Sequence, residues 1–145
     1  RNYGLTVNRP IAERIDSEKS AIAASKLLGL SCIPRARLIL ERNQIEYKEN
    51  DLWFKLFVLH IYHAGAGNVG GLIDNLKPHK GGLELITTMW QSEFGGFKNA
   101  SQNYSQLALA SNLVLEELLY QSCQNIYLCS SELFDLNEKL SHAKN

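Results

Sequence analysis

The chain has 145 residues, of which 45% are hydrophobic and 21% charged, and its 15 basic and 15 acidic side chains cancel. That suits one ordinary globular domain able to bury about two-thirds of its unfolded surface, and it is too apolar for disorder. A net charge of zero argues against the basic footprint of a nucleic-acid binder, and no apolar run reaches the length of a membrane span.

Read from its start, the chain shows helical periodicity and few strand signals, which predicts an all-α domain. Asp16 or Ser17 is placed to cap a first helix, with Glu18 in its first turn and an apolar stripe of Ala21, Ala24, Leu27 and Leu28. Gly29 is the expected stop. Pro34 suits the first turn of a second helix that runs through Arg42 toward Tyr47. Its basic stretch, Arg35 to Arg42, contains Glu41 and apolar residues, so it reads as a solvated face rather than a phosphate patch.

Asp51 is the expected cap of a third helix. Leu52 to Ile61 is apolar nearly all round, the signature of a central core helix. It runs into Tyr62-His63-Ala64-Gly65-Ala66-Gly67-Asn68-Val69, where two glycines allow a sharp turn and close backbone approach. A short helix from Val69 to Leu76 follows, then a loop at Pro78 and Gly81-Gly82, then a helix from Leu83 to Glu93 that Gly95-Gly96 breaks. Ser101 is the expected cap of a long helix carrying Tyr104, Leu107, Ala108, Ser111, Leu115, Leu118 and Leu119, and the tail from about Tyr120 to Leu140 is also helical.

Three segments in this order resemble the lytic transglycosylases of the goose-lysozyme-like type, with membrane-bound murein transglycosylases of the D kind the nearest in look. The first is Tyr3-Gly4-Leu5, Val7-Asn8, Glu13-Arg14, Asp16, Ser20 and Ala23-Ala24, against a family pattern Y-G-L-x-V-N, D-E-R-R-D-P-x-x-S and A-A-A. The second is Tyr62 to Val69, against A-Y-N-A-G-P-G-x-V. The third is Ser101 to Ala110 with Tyr104, against E-T-R-N-Y-V-P-K-x-L-A-A, preceded by an aromatic helix to which Trp90 would belong.

The resemblance covers about Arg1 to Leu119. It implies a lysozyme-like helical domain over residues 1–119 with an insertion at 29–50; residues 120–145, outside the resemblance, read as a C-terminal helical extension. It departs from the family at His63 (asparagine there), Ala66 (proline) and Ala100 (glutamate). The family's catalytic glutamate lies in an E-S motif upstream of Y-G-L, so the catalytic helix is expected outside this chain. The first residue is Arg1 rather than Met, and we read the N-terminus as removed by processing or by fragmentation. No signal peptide is visible.

The implied activity is cleavage of the β-1,4 bond between N-acetylmuramic acid and N-acetylglucosamine, leaving a 1,6-anhydro product. One glutamic acid protonates the leaving oxygen and then acts as base toward the sugar's 6-hydroxyl, which needs a raised pKa in an apolar cleft and no second carboxylate. No metal or organic cofactor is implied. The partners would be peptidoglycan glycan strands, and the place the cell envelope or periplasm. Tyr62, His63, Ala64, Gly65, Asn68 and Tyr104 would bind the glycan, with Tyr62 packing on a sugar face, His63 hydrogen-bonding where the family uses an amide, and Tyr104 across the cleft.

Plainer readings stand beside these. Tyr62 and Tyr104 suit ordinary helix positions, and His63 suits a helix C-terminus, where the dipole favours its charge. His60, on the apolar helix, reads as structural; paired with His63 at i, i+3 it lacks an evident third metal ligand. Cys32, Cys123 and Cys129 are odd in number and form no CxxC, and the last two point to different faces of a helix, so all three read as packing residues or surface thiols, with one disulfide in an oxidising compartment as the alternative. A glycan-binding or scaffold module that has lost the acid is the alternative within the fold, and a helical partner-binding protein is the alternative outside it.

Overall fold

A computed structural model describes Tyr3 and residues 15–142, with side chains described through Ser122. Most of the first resembling segment, Gly4 to Arg14, lies outside the described residues, as do the side chains of Cys123 and Cys129. The described residues form six α-helices, and the lone β-bridge among them joins Phe94 to Phe97. The all-α expectation holds. Among the described residues no helix is long and apolar enough to cross a membrane. The chain divides into two compact units, Arg1–Gln106 and Leu107–Asn145, with the division inside the last helix.

In the first unit, α1 (Ser17–Leu27) starts where expected. Asp16 is extended, and its Oδ1 accepts the Lys19 backbone N–H at 3.0 Å, satisfying one of the free donors of the first turn. Gly29 does not stop this helix. The chain passes through one π-helical turn, Leu28–Cys32, directly into α2 (Ile33–Arg42). The cause is Pro34, which has no N–H and whose ring would meet the carbonyl four residues back in a regular helix. The wider turn, closed by Ile33 N–H on the Leu28 carbonyl, opens the ladder before the proline. Cys32, 2% exposed, packs inside this turn, and burial pushes its thiol pKa up.

α2 ends at Arg42 instead of continuing to Tyr47. Gln44 takes a left-handed conformation (φ 57°), its N–H bonds to the Glu41 carbonyl, and Ile45 N–H reaches the Leu40 carbonyl at 2.9 Å. This is a Schellman motif with glutamine where glycine is usual, and buried Ile45 supplies its apolar contact. The Tyr47 ring then stacks on Phe54 at 5.1 Å.

α3 (Leu52–Ala64) is the central helix, as its composition predicts. Trp53, Phe54, Leu56, Phe57, Val58, His60 and Ile61 are all buried. Asp51 stands at its N-cap, but its carboxylate takes the Trp53 indole N–H at 3.3 Å rather than a backbone donor. Around α3 pack α2, α4 (Ala66–Leu76) and α5 (Leu83–Trp90), which bring Leu40, Leu72, Ile73, Ile86 and Met89 into the core. Each such side chain contributes about 1.5–3 kcal/mol by leaving water.

Three boundaries differ from expectation. α4 begins at Ala66 rather than Val69. α5 ends at Trp90 rather than Glu93, where Gln91 and Ser92 tighten the last turn by bonding three residues back, to Thr88 and Met89. α6 (Ala100–His142) begins before Ser101 and runs through the tail as one helix. Asn99 turns the chain at φ 51°, and the Ser101 hydroxyl points back to the Gly96 carbonyl at 3.5 Å instead of capping.

Candidate functional site

The site that the sequence singles out lies where α3 ends. Gly65 stops α3 at φ 84° and ψ 148°, a backbone conformation that side chains rarely adopt, and α4 starts at the next residue. So sharp a turn leaves Tyr62 and His63 on the last turn of α3, half-buried and exposed respectively.

Beneath them, Asn68 ties the turn to a second loop. Its Nδ2 donates to the Ala64 carbonyl at 2.8 Å, and its Oδ1 accepts the Gly96 N–H at 3.0 Å. That second loop is a two-residue turn in which Phe94 and Phe97 exchange backbone hydrogen bonds at 2.9 and 2.7 Å, with Phe97 wholly buried. Replacing Asn68 by alanine is expected to lower stability by about 1–2 kcal/mol, since it strips both a helix-end acceptor and a turn donor of their partner. Urea denaturation with an unchanged slope would read this out, and a loss under 0.3 kcal/mol, the usual noise for an exposed site, would deny the clasp.

The loop leads into the first turns of α6, which carry Tyr104. Its ring stacks on His63 with centroids 4.3 Å apart and planes 9° from parallel, and it meets Tyr62 at 6.1 Å and 31°. Residues 41 and 42 positions apart in sequence thus form one aromatic group. Burial, and secondarily the neighbouring Tyr62, hold the Tyr104 phenol above its ordinary pKa, so it stays a neutral donor at physiological pH. Among the described residues no side chain or backbone group bonds to the Tyr62 or Tyr104 hydroxyl, and no carboxylate joins the group.

The placement of Tyr104 is set by a buried hydrogen-bonded chain. Trp90 Nε1–H donates to Ser105 Oγ at 2.8 Å. Ser105 O–H points to His60 Nε2, also at 2.8 Å, and His60 Nδ1–H meets the Ser101 carbonyl at 3.2 Å. The Ser101 carbonyl can only accept, so His60 carries its proton on Nδ1, and Nε2 of the neutral ring accepts from the Ser105 O–H. His60 and Ser105 are fully buried, and Ser101 nearly so. Burial lowers the His60 pKa to about 4, with the Ser101 bond opposing and His63 assisting. His60 is thus neutral and fully engaged, in keeping with a structural reading, and both its ring nitrogens are taken.

Of the six residues singled out, Tyr62, His63 and Tyr104 come together as the aromatic group, while Ala64, Gly65 and Asn68 form the turn that supports it. Sequence reasoning missed the Asn68–Gly96 clasp and the Trp90–Ser105–His60 chain. One signal pointed to the latter: a histidine in the middle of an apolar helix must find partners for both nitrogens. Two clefts open elsewhere on the first unit. A cleft of about 350 Å³ between α2 and α4 is lined by Arg35, Arg42, Asp74 and the motif residues Ala66 and Gly67. An apolar one of about 430 Å³ lies by the π-helical turn, against Phe54 and Val58. Among the described residues no group of three His, Cys, Asp or Glu side chains is placed to hold a metal.

Architecture and site together define an all-α protein with a partly exposed Tyr–His–Tyr group, two of its rings on the central helix and the third on the first turns of α6. Comparison of the chain with protein-family models, with curated proteins and with solved structures gives no match.

Proposed function

We propose that this chain is part of a lysozyme-like lytic transglycosylase domain that binds peptidoglycan glycan strands, with the catalytic glutamate upstream of Arg1. The activity would be cleavage between N-acetylmuramic acid and N-acetylglucosamine with a 1,6-anhydro product, in the cell envelope. What supports this reading is the meeting of two separately recognised motifs: Tyr62-His63 and Tyr104, distant in sequence, stand 4.3 and 6.1 Å apart as ring pairs. Aromatic faces with free hydroxyls suit sugar rings, which present apolar C–H faces and polar edges. In this reading His63 and the two phenols orient the glycan, and the upstream glutamate does the proton transfer.

One observation favours a binding module without chemistry. His63 replaces the family's asparagine and its ring lies flat on Tyr104, so one face of each ring is already covered. The test is digestion of purified sacculi, with mass analysis of products, by this chain and by a form extended upstream. The proposal expects 1,6-anhydro muropeptides from the extended form only, with Tyr104→Ala and His63→Ala each slowing release by roughly tenfold, the worth of about 1.4 kcal/mol of lost contact. If neither form releases product but both sediment with sacculi, and the two variants do not, the binding module is correct.

A further inference from the structure

α2 turns one face toward α4, made of Arg35, Leu38, Ile39 and Arg42 at i, i+3, i+4 and i+7. Between the two helices lies the cleft of about 350 Å³, at the small end of the range for ligand sites. Part of its lining is bare backbone at Gly67 and Gly70. At Gly67 neither a left-handed φ nor a near neighbour calls for glycine, since a Cβ there would meet nothing within 4 Å. Leu38, 65% exposed, leaves an apolar wall uncovered. The charged groups of the cleft are only partly paired. Arg42 lies over Gly70, and its Nη2 alone reaches Asp74, at 2.8 Å to each oxygen. Asn43 holds the same carboxylate at 3.1 Å. The Nε and Nη1 of Arg42 donate to no group among the described residues. Arg37, outside the cleft, is paired with Glu49 at 2.6 Å, whereas Arg35 makes no ion pair or hydrogen bond among the described residues. Ile39 packs on Gly70 and Arg42 reaches Asp74, so Arg35, one turn before Ile39, comes toward Ala66 and Gly67. No side chain caps α4 at that end, where negative charge is favoured.

We infer that this cleft binds a small monocarboxylate bearing an apolar group. Charge selects the class. The two guanidinium groups of Arg35 and Arg42 against the one carboxylate of Asp74 leave a single positive charge, which one carboxylate ion balances. A phosphate monoester carries about −1.5 to −2 and would exceed it while also facing Asp74. Geometry agrees: the unspent donors of Arg35 and Arg42 suit the paired oxygens of a carboxylate, and Leu38 suits the apolar part of the ligand. Of the three arginines that read as a solvated face in the sequence, two therefore serve the cleft and Arg37 alone does not. This inference is independent of the glycan reading.

The experiment is titration of the whole nitrogen-15-labelled chain with butyrate, followed by magnetic resonance of the backbone amides and the arginine Nε–H groups. The expected result is a set of saturating shifts at Gly67, Gly70 and the Arg35 Nε–H, with an affinity of roughly millimolar. Butyramide, which has the same shape without the charge, should not reproduce them. Arg35→Gln, at an exposed position, should weaken butyrate by about tenfold or more, the effect of losing a charged hydrogen bond, while Arg37→Gln leaves the affinity unchanged. The inference is overturned if no shift saturates, if butyramide acts as butyrate does, or if Arg35→Gln binds as tightly as the wild-type chain. Butyl phosphate binding more tightly than butyrate would overturn the choice of a carboxylate.

Discussion

Replacing His60 by alanine is expected to lower stability at pH 7 by about 4 kcal/mol, a large share of the 5–15 kcal/mol a domain of this size has. Two costs add. The imidazole is fully buried, so its loss leaves a cavity between α3, α5 and α6 that the neighbouring Phe97 ring, 5.1 Å away, fills only in part. The Ser101 carbonyl and the Ser105 hydroxyl also lose their partner, at about 1–3 kcal/mol for each group left unsatisfied. Leucine, which fills more of the space, should recover part of the loss, because the Ser105 hydroxyl can then turn back to the Ser101 carbonyl one turn earlier. Urea denaturation of the two variants checks this, and equal losses for alanine and leucine would mean that the cavity contributes nothing.

The same residue gives a pH dependence whose sign is fixed. The folded state holds His60 at a pKa of about 4, below its ordinary value of 6.5, because burial disfavours the charged ring. Between those values the unfolded chain binds the proton and the folded chain does not, so stability falls as pH falls. Near pH 4 the loss should reach about 3 kcal/mol relative to pH 7, and it should be missing from the His60→Leu variant. The groups facing the ring from α5 and α6, namely Trp90, Ser101 and Ser105, do not titrate in this range, and on α3 His63 is the nearest ionisable neighbour. A His63→Gln variant that keeps the dependence would place the effect on His60.

Much of the fold was legible because it rests on local pattern. The all-round apolar run at Leu52 to Ile61 could only be a core helix, and Asp16 at the edge of an apolar-periodic stretch could be read as its cap. Legibility failed where a second residue changed what the first one meant. Gly29 reads as a stop until Pro34, five residues on, is seen to need a widened turn rather than a break. Ser101 reads as a cap, yet its carbonyl is held by a histidine forty-one positions away and the helix starts before it. The meeting of His63 with Tyr104 rested on the family resemblance, since nothing in periodicity brings those positions together. The Trp90–Ser105 bond depends on how α5 docks, and that docking is decided at a glycine whose neighbour lies far off in sequence.

That glycine is Gly81, and its replacement by alanine is expected to cost about 2–3 kcal/mol, the range for overpacking a filled site. A Cβ there would overlap the Cη2 and Cζ2 atoms of Trp53. The indole cannot retreat: it is 8% exposed, meets Phe54 edge-on at 6.4 Å, and its N–H is held by Asp51. Gly71 offers the contrast. A Cβ at that position would overlap the Phe94 ring even more closely, but Phe94 is 39% exposed and its ring can swing into solvent, so Gly71→Ala should cost under about 1 kcal/mol. The order of the two losses, not the depth of overlap, is the test, and the reverse order in urea denaturation would show that Trp53 is the mobile ring. Moving the chain off Trp53 at Gly81 also shifts the start of α5, whose buried Leu85, Ile86 and Met89 set its position on α3. Trp90 then leaves Ser105, and the His60 chain that seats Tyr104 against His63 loses its first donor. Gly81→Ala should therefore change the near-ultraviolet dichroism of Trp90 and weaken any ligand that reads the Tyr62–His63–Tyr104 group, although Gly81 belongs to none of it.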